Sequence, residues 1–410
     1  MSITRRDFVV KGGLGLLALG LTGPLGLLEW DKHIAQIASA ATPDNILVVV
    51  QLSGGNDGLN TVIPHAQGVY YDNRPSLAIE QKNALHLDKN FGLHPSLTNL
   101  KKIYDGGKLA ILNGVGYPNP NRSHFRSMEI WQTAVPDKLD VQTGWLGRYL
   151  DLTTTSDKNP VAALTVGAGS KVFLAKKNDA PMITYPDMFK LVVRKASVTD
   201  KQRRLEAFTN MYTKTPDPLL SLVTAKGKTA IKASDKIQSA PRLTTSSSGY
   251  PAGSAFGNHL ELIAQFIGAG LPTRTYFTML DGFDDHSNEK DEHALALKEF
   301  DNALGAFYDD LVKRGVANRV TVLVYSEFGR RVKENASNGT DHGTAGPVFV
   351  LGQGVKGGLY GQMPSLTQLD SGDLKYTVDF RSVYSTLLDK WLNAPSKDVL
   401  GSSFETLKFL

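Results

Sequence analysis

The side chains able to do chemistry in this chain fall in five short stretches. They are Asn56-Asp57, Asn119-Pro120-Asn121-Arg122-Ser123-His124-Phe125-Arg126, Asp281-Gly282-Phe283-Asp284-Asp285-His286, Ser326-Glu327-Phe328-Gly329-Arg330-Arg331 and Thr340-Asp341-His342-Gly343-Thr344. Each offers a carboxylate, an imidazole or a guanidinium, and the whole sequence has no cysteine. Disulfides, thiolate metal sites and a cysteine nucleophile are therefore excluded. The remaining donors are hard oxygens and imidazoles, a set suited to one or two ions of Zn, Mn, Mg or Ca. Several carboxylates gathered at one place repel and partly reprotonate unless a cation compensates them, and a metal site explains such crowding economically.

The elements between these stretches say how they could meet. Asn45–Leu52 is a continuous β-branched run, the pattern of a strand buried on both faces, and it ends in the glycine-rich Ser53-Gly54-Gly55-Asn56-Asp57-Gly58. Further buried-strand candidates are Leu109–Val115, Ala162–Val166, Arg274–Leu280, Val320–Tyr325 and Val348–Leu351. Helical patterns lie between them. The clearest is Glu289–Arg314, with Ala294, Leu297, Phe300, Leu304, Phe307 and Leu311 on one face; another is Asp379–Trp391. Strands alternating with helices predict an α/β fold with a mainly parallel central sheet covered on both faces. In such sheets ligands bind beyond the carboxyl ends of the strands, where four of the five stretches follow a strand and the fifth precedes the last one.

Composition sets the outer bounds. The 410 residues are 41% hydrophobic, ample for a large core, and a disulfide-stapled miniprotein, a disordered chain and a coiled coil are all excluded. A formal charge of +5, without a dense basic stripe carrying aromatics, argues against a nucleic-acid partner. Residues 197–254 differ from the rest: Ser197–Ile237 is charged and helical in pattern, and Thr244–Gly253 is a flexible Ser/Thr/Gly linker. This stretch reads as an insertion or cap on a single domain spanning 41–410.

The first forty residues read as an address. Arg5-Arg6 is followed by Phe8-Val9-Val10, then by an apolar stretch Gly12–Leu28 diluted by glycines and Pro24, and by the small-residue exit Ala38-Ser39-Ala40. That is an export signal of twin-arginine type, cleaved to leave a chain starting near Ala41. The apolar stretch falls short of the ~20 residues a spanning helix needs, so no stable membrane span is expected after cleavage. The implied partner during export is the twin-arginine translocon, and the destination is periplasmic or secreted.

Each chemical stretch also has a structural reading. Asn56 and Asp57 can cap a helix or hold a turn; Ser123 can be the N-cap of a helix through Met128–Trp131, with His124 on the surface; Glu327 and Arg330 can be an ion pair. Asp284 and His286 can sit in a solvated acidic loop. Asp341-His342-Gly343 is the hardest to explain by stability alone. His65, His86, His94, His259 and His293 read as structural or exposed. The glycine loop 54–58 lacks the G-x-G-x-x-G spacing of a dinucleotide site.

Taken together, the twin-arginine start, QLSGGNDGLNTVIP, NRSHFRSMEIWQT, GFDDH, YSEFGRRVKENASNGTDHGTAGPVFVLG and DFRSVYSTLLDKWL resemble the bacterial domain-of-unknown-function family 1501. The resemblance implies a fold similar to the alkaline phosphatase and sulfatase superfamily, with a metal centre at the strand ends. By that resemblance Asp57 is the first-strand ligand, and Ser123 is the nucleophile at a helix start that stabilises an anion. Asp284, His286 and His342 would surround one ion, and Asp57, Ser123 and Glu327 a second. Arg122, Arg126 or Arg330 would clamp a phosphate or sulfate oxygen, and His124 would serve as general acid or base. The chain departs from the superfamily at Glu327-Phe328, where Asp-His is common, and in the short spacing of Asp284 and His286. Asp341 then substitutes as a ligand, or only one ion binds. Ser123-His-Phe-Arg126 lacks the proline of a formylglycine signature.

Two functional readings follow. The first is an exported metal-dependent hydrolase of phosphate, phosphonate or sulfate esters, acting on a small-molecule or polymer-linked anionic ester. The second is a non-catalytic periplasmic or cell-surface protein with a degenerate or structural metal site, working in envelope or polysaccharide assembly.

Overall fold

A computed structural model describes residues 45–156, 158–184, 198–212, 218–240 and 249–410. The export signal, its cleavage site, Ser197 and the 244–248 part of the linker lie outside the described residues.

The β-branched run near the start forms β1 (Ile46–Leu52), with all seven residues buried. Its side chains alternate, as a pleated strand requires. Ile46, Val48, Val50 and Leu52 enter one core with Leu297, Phe300 and Leu304 of the helix Glu289–Lys313. Leu47 and Val49 enter the opposite core with Trp145, Leu146 and Phe380. Helices therefore cover both faces, which is why these strands are apolar throughout rather than alternating. Two short strands, β2 (Val62–Ile63) and β3 (Leu85–His86), pair with β4 (Gly92–Leu93) in a separate small sheet.

The other strands of the main sheet are β5 (Leu109–Gly116), β6 (Ala163–Val166), β7 (Met182–Ile183), β8 (Thr275–Leu280), β9 (Val320–Ser326), β10 (Gly346–Gly352), β11 (Gly358–Tyr360) and β12 (Val378–Asp379). Their order is β11-β5-β10-β9-β1-β8-β6-β7, with β12 also on β5. The pairs β9-β1, β1-β8, β8-β6 and β6-β7 are parallel, whereas β10 runs antiparallel to both β9 and β5. The sheet is thus mixed and mostly parallel. The antiparallel strand matters for function. Its amino end, at Gly346 beside Val115, lies with the carboxyl ends of β5, β9, β1 and β8. The loop entering β10 and the loops leaving its neighbours therefore share one rim.

Both long helical patterns form. Glu289–Lys313 follows the predicted face, and the 380–391 pattern is an α-helix, Phe380–Thr386, that ends in one π-helical turn, Leu387–Trp391. In the 197–254 stretch the described residues form the helices Val198–Tyr212 and Pro218–Ser239. Ala233 and Ile237 of the second helix are buried in the same core as the even residues of β1. Among the described residues, no helix is long and apolar enough to cross a membrane.

Candidate metal centre

Four loops build the rim. After β5, the chain turns through residues 117–123 into the helix His124–Thr133. That helix is seated by Trp131, whose ring stacks on Tyr325 at the end of β9 (centroids 4.9 Å apart), and by Ser127, whose hydroxyl donates to the Glu327 carbonyl. After β9, residues 329–344 fold back as a hairpin: Gly329 N–H donates to Thr344 O, Gly343 N–H to Gly329 O and Arg331 N–H to Asp341 O. The loop after β8 is stitched to this hairpin, with Thr340 N–H donating to Asp285 O and the Asn335 side-chain amide to His286 O. Gly339 is required there, since a Cβ on it would stand 2.2 Å from the His286 carbonyl carbon. Gly54, at φ +118°, lets the loop after β1 press against the backbone of Asp284, where a Cβ would meet its nitrogen at 2.5 Å.

These loops bring three imidazoles and a carboxylate together. His342 Nε2 is 3.0 Å from His124 Nε2, 2.9 Å from His286 Nε2 and 3.0 Å from Asp284 Oδ1. His286 Nε2 is also 3.0 Å from Asp284 Oδ1, and His124 Nε2 is 3.4 Å from Asp284 Oδ2. Ligand atoms around a tetrahedral ion with bonds near 2.0–2.2 Å stand roughly 3.3 Å apart, so the spacings among His124, Asp284 and His342 fall within a few tenths of an ångström of a coordination shell. His124, Asp284 and His342 can direct one ligand atom each at a single ion.

The neighbours of the imidazoles make the fit more specific. His124 Nδ1 lies 2.8 Å from Glu327 Oε1, and His342 Nδ1 lies 2.8 Å from the Arg122 carbonyl. Both partners accept, so in the neutral rings both Nδ1 atoms carry the proton and both Nε2 atoms present lone pairs. Two lone pairs facing each other at 3.0 Å need a cation or a proton between them. Carboxylate and carbonyl groups behind ligating histidines are the usual device that fixes ring tautomer. The residues present therefore fit a divalent ion.

Electrostatics agree with that assignment. The Glu327 hydrogen bond raises the His124 pKa against the effect of burial, so without an ion this ring takes up a proton more readily than an ordinary histidine. Burial lowers that of His342, keeping its lone pair free. Burial would raise Asp284, but hydrogen bonds from Arg330 and His342 outweigh it and bring its pKa to about 2, so it stays a carboxylate.

The other expected site residues lie around the cluster rather than in it. Asp57 does not join the cluster as a ligand: both its oxygens are bound by the guanidinium of Arg74, and the pair is buried. Glu327 stands one layer back, fully buried, with Oε1 accepting from His124 and from Gly54 N–H at 2.9 Å. Asp341 is likewise behind a ring, 3.6 Å from His286 Nδ1, where it can orient His286. His124 has both ring nitrogens engaged in the cluster, which makes it a ligand candidate as well as the acid or base the resemblance implies. Arg330 is buried and donates to the carbonyls of Gly54, Gly55, Phe283 and Thr340 and, at 2.6 Å, to Asp284, so it has no spare face for a substrate oxygen; nor is it paired with Glu327. Arg126 holds Glu129 and the carbonyls of Pro136 and Lys138, and Arg122 pairs with Asp373.

Ser123 is exposed at the N-terminus of the helix His124–Thr133, and its hydroxyl makes no capping bond to that helix. It is bracketed by two residues of the site, since the Arg122 carbonyl and the His124 ring both touch His342.

Below the cluster lies a buried network that sequence reasoning missed. Arg74 also donates to the carbonyls of Arg331 and Val332, and Glu289 accepts from Thr340 Oγ1 at 2.6 Å. Burial and the adjacent Asp57 charge raise the Glu289 pKa, which favours its protonated form. His293 lies 2.9 Å from Asn56 Oδ1, and burial lowers its pKa to about 3. Nothing local to Arg74 in the sequence marked it as the partner of Asp57.

No curated protein matches the sequence. Among solved structures, the chain is similar to a protein in the alkaline phosphatase superfamily from Vibrio parahaemolyticus, at 11% identity and a TM-score of 0.36, over 78% of this chain and 63% of that one. It thus spans less than two thirds of that protein's length. It is also similar to the lipoteichoic acid synthase LtaP from Listeria monocytogenes (10% identity, TM-score 0.37, 88% of this chain and 77% of that one). A third likeness is to the PsFucS1 sulfatase from Pseudoalteromonas sp. (10% identity, TM-score 0.40, 91% and 72%). The family described as protein of unknown function (DUF1501) matches residues 110–397, a span that holds all four residues of the cluster, and the chain belongs to that family.

Proposed function

We propose that this chain is an exported, metal-dependent hydrolase of phosphate, phosphonate or sulfate esters, acting in the periplasm or outside the cell. The observation that carries the reading is the pair of Nε2 lone pairs, on His124 and His342, turned toward each other beside Asp284 and His286. A divalent ion held there supplies Lewis acidity toward an ester oxygen. The chain supplies the rest. Ser123 offers a hydroxyl nucleophile at the rim, and the positive end of the helix His124–Thr133 favours the anionic group that the nucleophile attacks. The Ser123 hydroxyl gives its proton to solvent as the Oγ–phosphorus or –sulfur bond forms and the bond to the leaving ester oxygen breaks, and that oxygen takes a proton from solvent. Water then cleaves the seryl ester and restores the hydroxyl. Glu327 and the Arg122 carbonyl hold the two rings in the tautomers that the site needs.

One observation favours the non-catalytic reading. Arg126 and Arg330 are committed to several protein partners each, which leaves Arg122, paired with Asp373 through one nitrogen, as the exposed guanidinium of the three. The two readings separate in one experiment. Protein matured in the cell is assayed on p-nitrophenyl phosphate, p-nitrophenyl phenylphosphonate and p-nitrophenyl sulfate, with and without a chelator. The hydrolase reading expects chelator-sensitive turnover that falls by roughly 10³-fold or more in Ser123→Ala. Bound metal with no Ser123-dependent turnover would establish the binding protein instead.

A further inference from the structure

The rim holds more than one acidic group with a resident cation. Asp57 is bound through both carboxylate oxygens by Arg74, whose guanidinium is fully buried and is pinned by the carbonyls of Arg331 and Val332. Asp284 receives Arg330, which five contacts fix in place. Glu327 uses Oε1 on His124 and Gly54, and its Oε2 lies 3.3 Å from the Ser326 hydroxyl. A guanidinium is charged at every physiological pH and cannot be exchanged for a dissolved ion. A second divalent ion at Asp57 would have to displace Arg74 from its carboxylate and leave a buried positive charge without its counter-ion.

We propose that Arg74 is the built-in cation at Asp57, standing where a second metal ion would bind, so that the chain holds one divalent ion, at His124, Asp284 and His342. The inference rests on the metal-dependent reading above, and it assigns that reading a mononuclear centre. Asp57 then acts on the site only as a structural carboxylate, and the compensation of rim charge is divided between one exchangeable ion and two permanent guanidinium groups.

The test is the number of ions bound, with no turnover required. Full-length protein matured in the cell is analysed for metal by mass spectrometry; stripped protein is then titrated with Zn²⁺ and with Co²⁺, following heat and the visible Co²⁺ spectrum. One equivalent is expected, with a single Co²⁺ spectrum. His342→Ala should weaken it by about 100-fold or more, whereas Asp57→Asn should keep one equivalent with affinity within a few-fold of the parent. A second tightly held equivalent in the parent protein, whether or not it depends on Asp57, overturns the inference and leaves the metal-dependent reading standing. No bound metal in the parent overturns both. Because stoichiometry is read on the parent chain, the result stands even where Asp57→Asn fails to fold.

Discussion

Two clusters of ionisable groups lie side by side at the strand ends, and they differ in how far their charges are balanced. In the buried one, Asp57, Arg74, Glu289, Thr340, Asn56 and His293 answer one another: an ion pair, a carboxyl pushed toward its protonated form, and an imidazole held neutral. In the outer one, three imidazoles crowd a carboxylate with Nε2 lone pairs turned inward, and the side chain of Asp284 is 49% exposed. The first carries its own counter-charges; the second leaves facing lone pairs that a cation or a proton would bridge. A charge cluster sealed from water must balance itself to exist, whereas one open to solvent can leave its last charge to a ligand.

That difference can be broken by stability measurements. Arg74→Ala leaves Asp57 as an uncompensated buried charge, and the expected cost is about 3–5 kcal/mol, read as a fall in denaturant midpoint. His342→Ala in metal-stripped protein should change stability by less than about 1 kcal/mol, since removing one crowded ring orphans no buried charge. Equal losses in the two variants would erase the distinction. A smaller effect sharpens it. Glu327→Gln keeps an acceptor oxygen behind His124 but removes the charge, so metal affinity should fall about 10–100-fold while the fold persists, as measured by competition with a chromogenic chelator. An unchanged affinity would mean that Glu327 does not orient the ring.

The smallest expected effect concerns pH. The Glu289 pKa is raised in the folded protein above its unfolded value. Between those two values the unfolded chain has lost a proton that the folded one keeps, so this group makes stability fall as pH rises through that window. Glu289→Gln should remove that decline and leave a flatter profile on the alkaline side, measured as melting temperature from pH 5 to 9. An unaltered slope would show that Glu289 is ionised in the fold.

Much of the fold was legible in the chain. Runs such as Ile46–Leu52 and Val320–Tyr325 announce strands covered on both faces, and the spacing of Leu297, Phe300, Leu304 and Leu311 announces a helix with one buried side. Burial demands apolar atoms at a fixed period, and that demand is written locally. The direction of β10 was not legible, because a four-residue apolar run carries no sign of its sense. Yet that direction is what brings His342 to the same rim as Asp284, since the loop entering an antiparallel strand meets the loops leaving its parallel neighbours.

The sequence by itself determined the donor chemistry: no thiol, several carboxylates and imidazoles, and their delivery by loops at strand ends. It also marked Ser123 at a helix start. Only the tertiary structure decided which donors face one another. It moved Asp57, Glu327 and Asp341 out of the first layer around the cluster and brought His124 in, and it drew Arg74 against Asp57 from 17 positions along the chain. The physical reason is that a side chain's type travels with the residue, whereas its partner is set by packing among segments far apart in sequence. His124 and Glu327 meet across 203 positions, a separation over which no local pattern carries information.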